Sequence, residues 1–466
     1  MTNALWTVPS RSMTPTGAGN GEAANAAVAL PGKRRSGRRS SVPTKLVLSG
    51  FDSLKLGDEN SRNRGNLMSN GFSLPNKKSV IFWPVGTGDS TTLVLKPGEL
   101  IVQIDLRHLE KADNPEEPEW PIIDYLVQAL PKRNEKPYLA LFVLTHPDKD
   151  HIQGFAELIK KVNIGEIWHT PKVFRDQIDQ EAMCDDAKAF RKEADRRRKA
   201  IIASPNAIKS GDRLRIIGHD DILMEDKYKD LPAECKSRPG EIVSFVDGNN
   251  LSGHFRAFIH APFKDDQAKD KNNTSLSLNV LIWEGEKYGQ FFFFGDREYP
   301  TIKRIFETTE KSKTDDKDNT PYLYWDVMLC SHHSSKAVMH WQDLEDSDEV
   351  FKKDIMDYFE KYSRGKNGYL LSSSHADFTD GKGDNPPHKK AKSRYCEIVK
   401  PGHFICTHEY PSKKVPSPVV FIIDKDGFAF DDKRAKSEGP SGLAAAVTGA
   451  RGGGQPPSTQ VGFGIP

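Results

Sequence analysis

The chain has 466 residues, 36% hydrophobic and 28% charged, enough for one large domain or two average ones with a very polar surface. A formal net charge of +2 argues neither for nor against nucleic acid as a bulk partner. No apolar run reaches the ~18 residues of a membrane span, so no membrane partner is expected.

Residues 1–75 are rich in Gly, Ala, Ser, Pro and Asn without periodicity, and are expected to be a disordered tail. Up to residue 50 the only acid is Glu22, beside a basic cluster of Lys33, Arg34, Arg35, Arg38 and Arg39. Such a tail suits nucleic-acid contact or targeting, and its Arg- and Ser-rich start is similar to an organelle transit peptide, but a plain solvated tail or an upstream start codon is the favoured reading. The folded domain is expected at 79–425. A strand at 79–83 leads into a turn at 84–90, where Gly86 and Gly88 let the backbone reverse. No helix start and no Gly-Lys-Ser/Thr follows, which argues against a phosphate-cradling loop. Strands at 91–95 and 100–105 come next, then a helical spacing at 121–130 and a buried strand at 138–144.

That strand runs into Thr145-His146-Pro147-Asp148-Lys149-Asp150-His151. In an extended loop His146 and Asp148 point the same way, with Asp150 and His151 at the turn into a helix starting near Gln153. These are two pairs of N/O donors, enough to begin two adjacent metal sites. Asp150 as a mere helix cap is the plain reading, but capping chemistry asks for no histidines.

Further strands are expected at 164–168, ending at His169, and at 254–260, ending at His260. Others fall at 272–282, at 290–294 before Gly295-Asp296, and at 325–330 before Ser331-His332-His333. The charge-rich helix within 172–204 reads as a solvated face, or as a basic helix able to hold phosphates. Residues 309–320 read as a charged loop and 352–362 as a helix. A strand at 369–374 leads to His375, and the Gly-, Asp- and Pro-rich loop 376–388 ends at His388, with room for a helix beyond. Strands at 402–407 and 419–424 close the domain, and a Gly- and Pro-rich tail, 434–466, is expected to be disordered. The five cysteines, Cys184, Cys235, Cys330, Cys396 and Cys406, are scattered, which reads as reduced thiols in a cytoplasmic protein. Two groups of apolar strands with helices to cover their outer faces predict an α+β fold, a four-layered αββα sandwich of two mixed sheets.

The stretch from Thr145 to Gly154 resembles the His-x-His-x-Asp-His-x-x-Gly signature of the metallo-β-lactamase fold, with Asp148 in place of the second His. This variant is similar to the ComEC-type hydrolase domains of competence DNA-uptake proteins. Gly86 to Asp89, Asn273 to Leu276, Phe294 to Asp296, Ser331 to Ser335 and Asn385 to His388 resemble further segments of that family, although Ser331 and Ser334 replace its Pro and Gly. The resemblance implies two divalent metal ions, with zinc expected and manganese or magnesium as alternatives. Asp296 would bridge them, with His146 and Asp148 on one, Asp150 and His151 on the other, and His333 completing a shell. A third histidine for the first metal has two candidates, His260 and His169. Asp105 would brace a ligand histidine from beneath. Asp150, Lys149, His332, His375 and His388 would place charge or a proton near the reacting atoms. The implied function is a metal-dependent phosphodiesterase or nuclease acting on nucleic acid or another phosphodiester. The same centre would serve a small ester, lactone or amide, or a metal-stabilised binding module without turnover. The oligomeric state is not legible.

Overall fold

The computed structural model describes residues 73–437 apart from 110–119, 172, 174–182, 265–273, 315–316, 344–345, 366 and 382. All described residues fall within the unit Glu59–Pro466. The tails expected at 1–75 and 434–466 lie almost wholly outside them, as do Asn273 and the first part of the expected 172–204 helix. Residues 434–437 belong to a short helix, Asp432–Ser437.

Two mixed sheets dominate. The first contains β1 (Lys78–Phe82), β2 (Thr91–Lys96), β3 (Leu100–Ile104), β4 (Lys136–Val143), β5 (Asn163–His169), β6 (Arg213–Ile217) and β7 (Lys236–Ser237). The second contains β8 (Ile242–Val243), β9 (Phe255–Ala261), β10 (Ser277–Glu284), β11 (Lys287–Phe293), β12 (Val327–Leu329), β13 (Tyr369–Ser372) and β14 (Phe404–Cys406). The chain then returns to the first sheet as a hairpin, β15 (Val419–Asp424) and β16 (Gly427–Phe430). The first sheet has the order β16-β15-β1-β2-β3-β4-β5-β6-β7, with the two-residue strand Lys132–Arg133 beside β4; the second runs β14-β13-β12-β11-β10-β9-β8. Strands β3 to β7 are parallel, as are β11 to β14, so each sheet presents several carboxyl-terminal strand ends on one edge. In open α/β sheets such edges are where ligands gather.

The helices are α1 (Ile122–Ala129), α2 (Lys149–Ile152), α3 (Phe155–Lys161), α4 (Asp185–Ala203), α5 (Tyr299–Lys311), α6 (Lys353–Tyr362) and α7 (Lys389–Ile398). Period-two alternation sorts the core into three apolar clusters. Ile81, Val94 and Phe142 of the first sheet pack with Ile122 and Leu126 of α1, Phe155 of α3 and Phe190 of α4. Their strand neighbours Val80, Leu93, Leu141 and Val143 turn the other way and meet Ile259, Val280, Phe291, Phe293 and Val327 of the second sheet. Phe292, Phe294 and Met328 pack with Ile302 and Phe306 of α5, Phe359 of α6 and Tyr395 of α7. Each such buried aromatic or aliphatic side chain contributes about 1.5–3 kcal/mol relative to exposure, so both sheets are fixed by shared apolar surface.

Three features differ from the sequence reading. A glycine at φ 97°, Gly154, separates α2 from α3, so the helical turn begins inside the histidine motif rather than near Gln153. Residues 299–311 form a helix whose apolar face carries Ile302, Ile305 and Phe306, where the sequence suggested only a charged loop from 309. The domain continues past 425 to Phe430 of β16. The basic run of α4 resolves largely into ion pairs: Arg196 with Glu193 at 2.8 Å, and Arg198 and Lys199 with Asp195 at 2.8 and 2.7 Å. Arg197 is buried and donates to the carbonyls of Ile164, Gly165 and Arg213, which gives it a structural task. Among the described residues no helix is long and apolar enough to cross a membrane.

Candidate metal centre

Strand ends from both sheets bring their polar side chains to one point. After β4, Thr145 and His146 leave the sheet, and α2 carries Asp150 and His151. After β11, Gly295 at φ 63° turns the chain so that Asp296 faces the same point; a Cβ at Gly295 would lie 2.7 Å from Ser275 Cβ. After β12, His332, His333 and Ser334 follow one another at φ 48°, 52° and 66°, a run of left-handed residues that costs about 1–3 kcal/mol each.

Asp296 sits in the middle. Its carboxylate lies 3.1 Å from His151 Nε2, 3.5 Å from His146 Nε2 and 3.6 Å from His333 Nε2, with His332 Nε2 at 4.0 Å. The Nδ1 atoms of the three closest histidines face outward, each with its own partner. His151 Nδ1 donates to Asp105 at 2.7 Å, His333 Nδ1 to the Ser373 carbonyl at 3.1 Å, and His146 Nδ1 contacts Thr145 Oγ1 at 3.1 Å. The Thr145 hydroxyl donates to Asp105 at 2.6 Å, so it accepts from His146. Asp105 also accepts the Thr145 N–H at 2.8 Å, and it holds this position at φ 51°. His146, His151, His333 and Asp296 are all buried.

The charges are strongly coupled. Burial opposes charging His151 and His333, yet the facing carboxylates, Asp296 foremost, raise both well above the ordinary histidine range. Burial likewise opposes ionising Asp296, but the histidines around it hold it well below the carboxylate range. Asp150, 3.1 Å from His333 Nε2, is lowered against its burial by His333 and His151. For Asp105 burial prevails and its carboxyl is raised, in spite of His151. Without a cation, protons on the imidazoles supply the positive charge that this many carboxylates require.

Asp89, His151, Asp296 and His333 offer ligand atoms within 4.8 Å of one another, all buried. His146 Nε2, His151 Nε2, Asp296 Oδ1 and Asp89 Oδ1 are buried without a hydrogen-bond partner. The Nε2 atoms of His146 and His151 face the Asp296 carboxylate with their other ring nitrogens already bonded, which fits a divalent cation, while Asp89 approaches from the other side, 3.4 Å from His333 Nδ1 and 3.9 Å from His151 Nδ1. The sequence reading missed Asp89 as part of this group, because a Gly-Asp pair after a strand reads as turn chemistry. Its signals were its place at the mouth of β2 and the resemblance of Gly86 to Asp89 to a family segment.

The remaining expected residues are outside the group of four. Asp148 is half-buried at the N-cap position of α2, makes no capping bond there, and is not among the four clustered residues. Lys149 is exposed. His332 is 20% exposed at the rim, with Nδ1 3.6 Å from Glu298. His375 lies at the mouth, where its backbone N–H meets Thr87 Oγ1 at 3.4 Å and Nδ1 accepts from Asp377 N–H at 3.2 Å. His388 is not brought to the cluster: Nδ1 accepts from Lys336 N–H and Nε2 donates to the Asp384 carbonyl, both at 3.2 Å, so both ring nitrogens are committed to backbone.

His260 is a correction. It shares the helix-facing side of β9 with Phe258, next to a register shift between Ile259 and Ala261, and stacks on Phe292 at 4.8 Å. Nε2 donates to the Tyr322 carbonyl at 3.0 Å and Nδ1 meets Thr309 Oγ1 at 3.3 Å. His169 also turns from the centre, toward Phe190. Burial pushes His260 down to about 3 from 6.5. The unfolded chain therefore binds the extra proton between those values, and this stability, complete above pH ~6.5, is lost as pH falls at about 1.4 kcal/mol per unit. His260→Gln should flatten the stability slope between pH 6.5 and 5 in urea titrations; an unchanged slope would refute a neutral buried His260.

No family model and no curated protein matches the chain. Among solved structures it is similar to an archaeal metallo-beta-lactamase superfamily protein from Sulfolobus tokodaii, at 13% identity and a TM-score of 0.24, over 70% of this chain and 97% of that one. So slight an overlap decides nothing about fold. The sheets and the cluster themselves define the class: an α+β protein with a buried His/Asp centre able to hold a metal ion.

Proposed function

We propose that this chain is a metal-dependent hydrolase, a four-layered αββα protein of the metallo-β-lactamase kind and ComEC-like in its motif, acting on phosphodiesters, nucleic acid included. The observation that carries this reading is the set of three imidazoles with outer nitrogens bonded and inner nitrogens turned on Asp296. Asp296 would bridge two divalent cations, zinc first, with manganese or magnesium as alternatives because Asp148 is a harder donor than histidine. His146 and Asp148 would serve one cation and Asp150 and His151 the other, with His333 completing a shell and Asp89 beside them. Cations held there would supply Lewis-acid chemistry, making a water more acidic and offsetting charge on attacked and leaving oxygens. The protein's own part would be to fix that geometry and exclude bulk water, with His332, its Nδ1 3.6 Å from Glu298, as the group that would donate to a leaving alkoxide.

The test is metal analysis of purified protein together with hydrolysis of bis(p-nitrophenyl) phosphate and single-stranded DNA, with and without chelator. Metal-dependent cleavage of either substrate is expected. Protein that binds metal but turns over small esters instead would move the substrate class. Metal without any turnover would leave a binding module, and protein that takes up no metal would overturn the reading.

A further inference from the structure

The candidate centre takes Asp89 and His151 from the first-sheet side and Asp296 and His333 from the second, and Ser373, just beyond β13, touches both halves. Ser373 is buried. Its carbonyl accepts His333 Nδ1–H at 3.1 Å and the Gly88 N–H at 3.4 Å, and its hydroxyl donates to the Gly88 carbonyl. Gly88 immediately precedes Asp89. On the other flank the Asp89 N–H donates to the Asp150 carbonyl at 3.1 Å. A Cβ on Gly88 would stand 2.7 Å from that carbonyl oxygen and 2.3 Å from Arg107 Cδ. The Gly88-Asp89 turn is therefore gripped between Asp150 on one side and Ser373 on the other.

The grip has its own support. Ser334, next to His333, donates to Ser372 Oγ at 2.7 Å, and Ser372 Oγ lies 2.8 Å from Ser374 Oγ, all three fully buried. This hydroxyl chain ties the left-handed turn that carries His333 to the end of β13. Buried hydroxyls bonded to one another are costly to disturb, since a broken link leaves an unpaired group.

We propose that Ser373 is a positioning residue for the cation site, setting the separation between Asp89 and His333 across the two sheets. The inference rests on reading the cluster as a metal centre. The hydroxyl reaches no ligand atom; it acts through Gly88 on Asp89.

The experiment titrates the full metal-free chain with zinc alone, in competition with a chromophoric chelator, and repeats it for Ser373→Ala and Ser373→Cys. Cysteine keeps the shape and offers only a weak donor, so it can be read even where alanine does not fold. Each folded variant should lose about 10-fold or more in zinc affinity, the range for a lost outer partner, and the visible absorption of the cobalt(II)-loaded form should change with it. A variant that melts earlier in the metal-free state but binds zinc as tightly as the parent would show a merely structural serine and overturn the proposal. A parent chain that binds no zinc would instead remove the metal reading itself.

Discussion

On the proposed two-cation reading, Asp296→Ala should abolish metal-dependent hydrolysis and weaken binding of both metals rather than one. Among the described residues, Asp296 is the one carboxylate within 4 Å of all four histidines of the motif turns, His146, His151, His332 and His333. Removing it deletes a donor and also the negative charge that draws the imidazoles together. The loss in affinity should exceed the ~10–100-fold that follows from losing an outer partner alone. Metal content by elemental analysis and turnover of bis(p-nitrophenyl) phosphate read both effects. Full turnover with two ions still bound would dismiss the shared-carboxylate centre.

Asp105 produces the second large effect, by a different route. Its carboxylate receives three donors: Thr145 N–H, Thr145 Oγ1–H and His151 Nδ1–H. Asp105→Asn keeps the shape and loses the charge, which should cost about 10–100-fold in metal affinity with modest loss of stability. Asp105→Ala leaves buried donors unpaired at about 1–3 kcal/mol each, so thermal melts of the metal-free chain should show a clear drop on top of the affinity loss. Equal affinity in all three proteins would mean that His151 needs no brace. Asparagine keeps one acceptor oxygen and sets an amide donor in place of the other, whereas alanine removes both, so the pair grades the loss of acceptors.

What the sequence determined by itself was local. Apolar runs at 138–144 and 290–294 predicted strands that the structure contains as β4 and β11, because unbroken or alternating apolar residues have few other places to go. The crowding of His146, Asp148, Asp150 and His151 marked a candidate site, since no packing need explains it. A helix near 352–362 was equally plain from its spacing. Tertiary structure decided the rest. Alternation along β9 says that Ile259 and His260 face opposite ways, but only the pairing of the sheets assigns Ile259 to the inter-sheet core and His260 to the helices. His388 looked like a proton donor until the backbone of Lys336 and Asp384 closed on both its nitrogens. Asp89 looked like part of a turn until Ser373, far along the chain, and Asp150 gripped that turn beside His333. The physical reason is the same in each case. Residue type and spacing fix which chemistry is on offer, whereas the direction a side chain takes depends on surfaces supplied by distant segments.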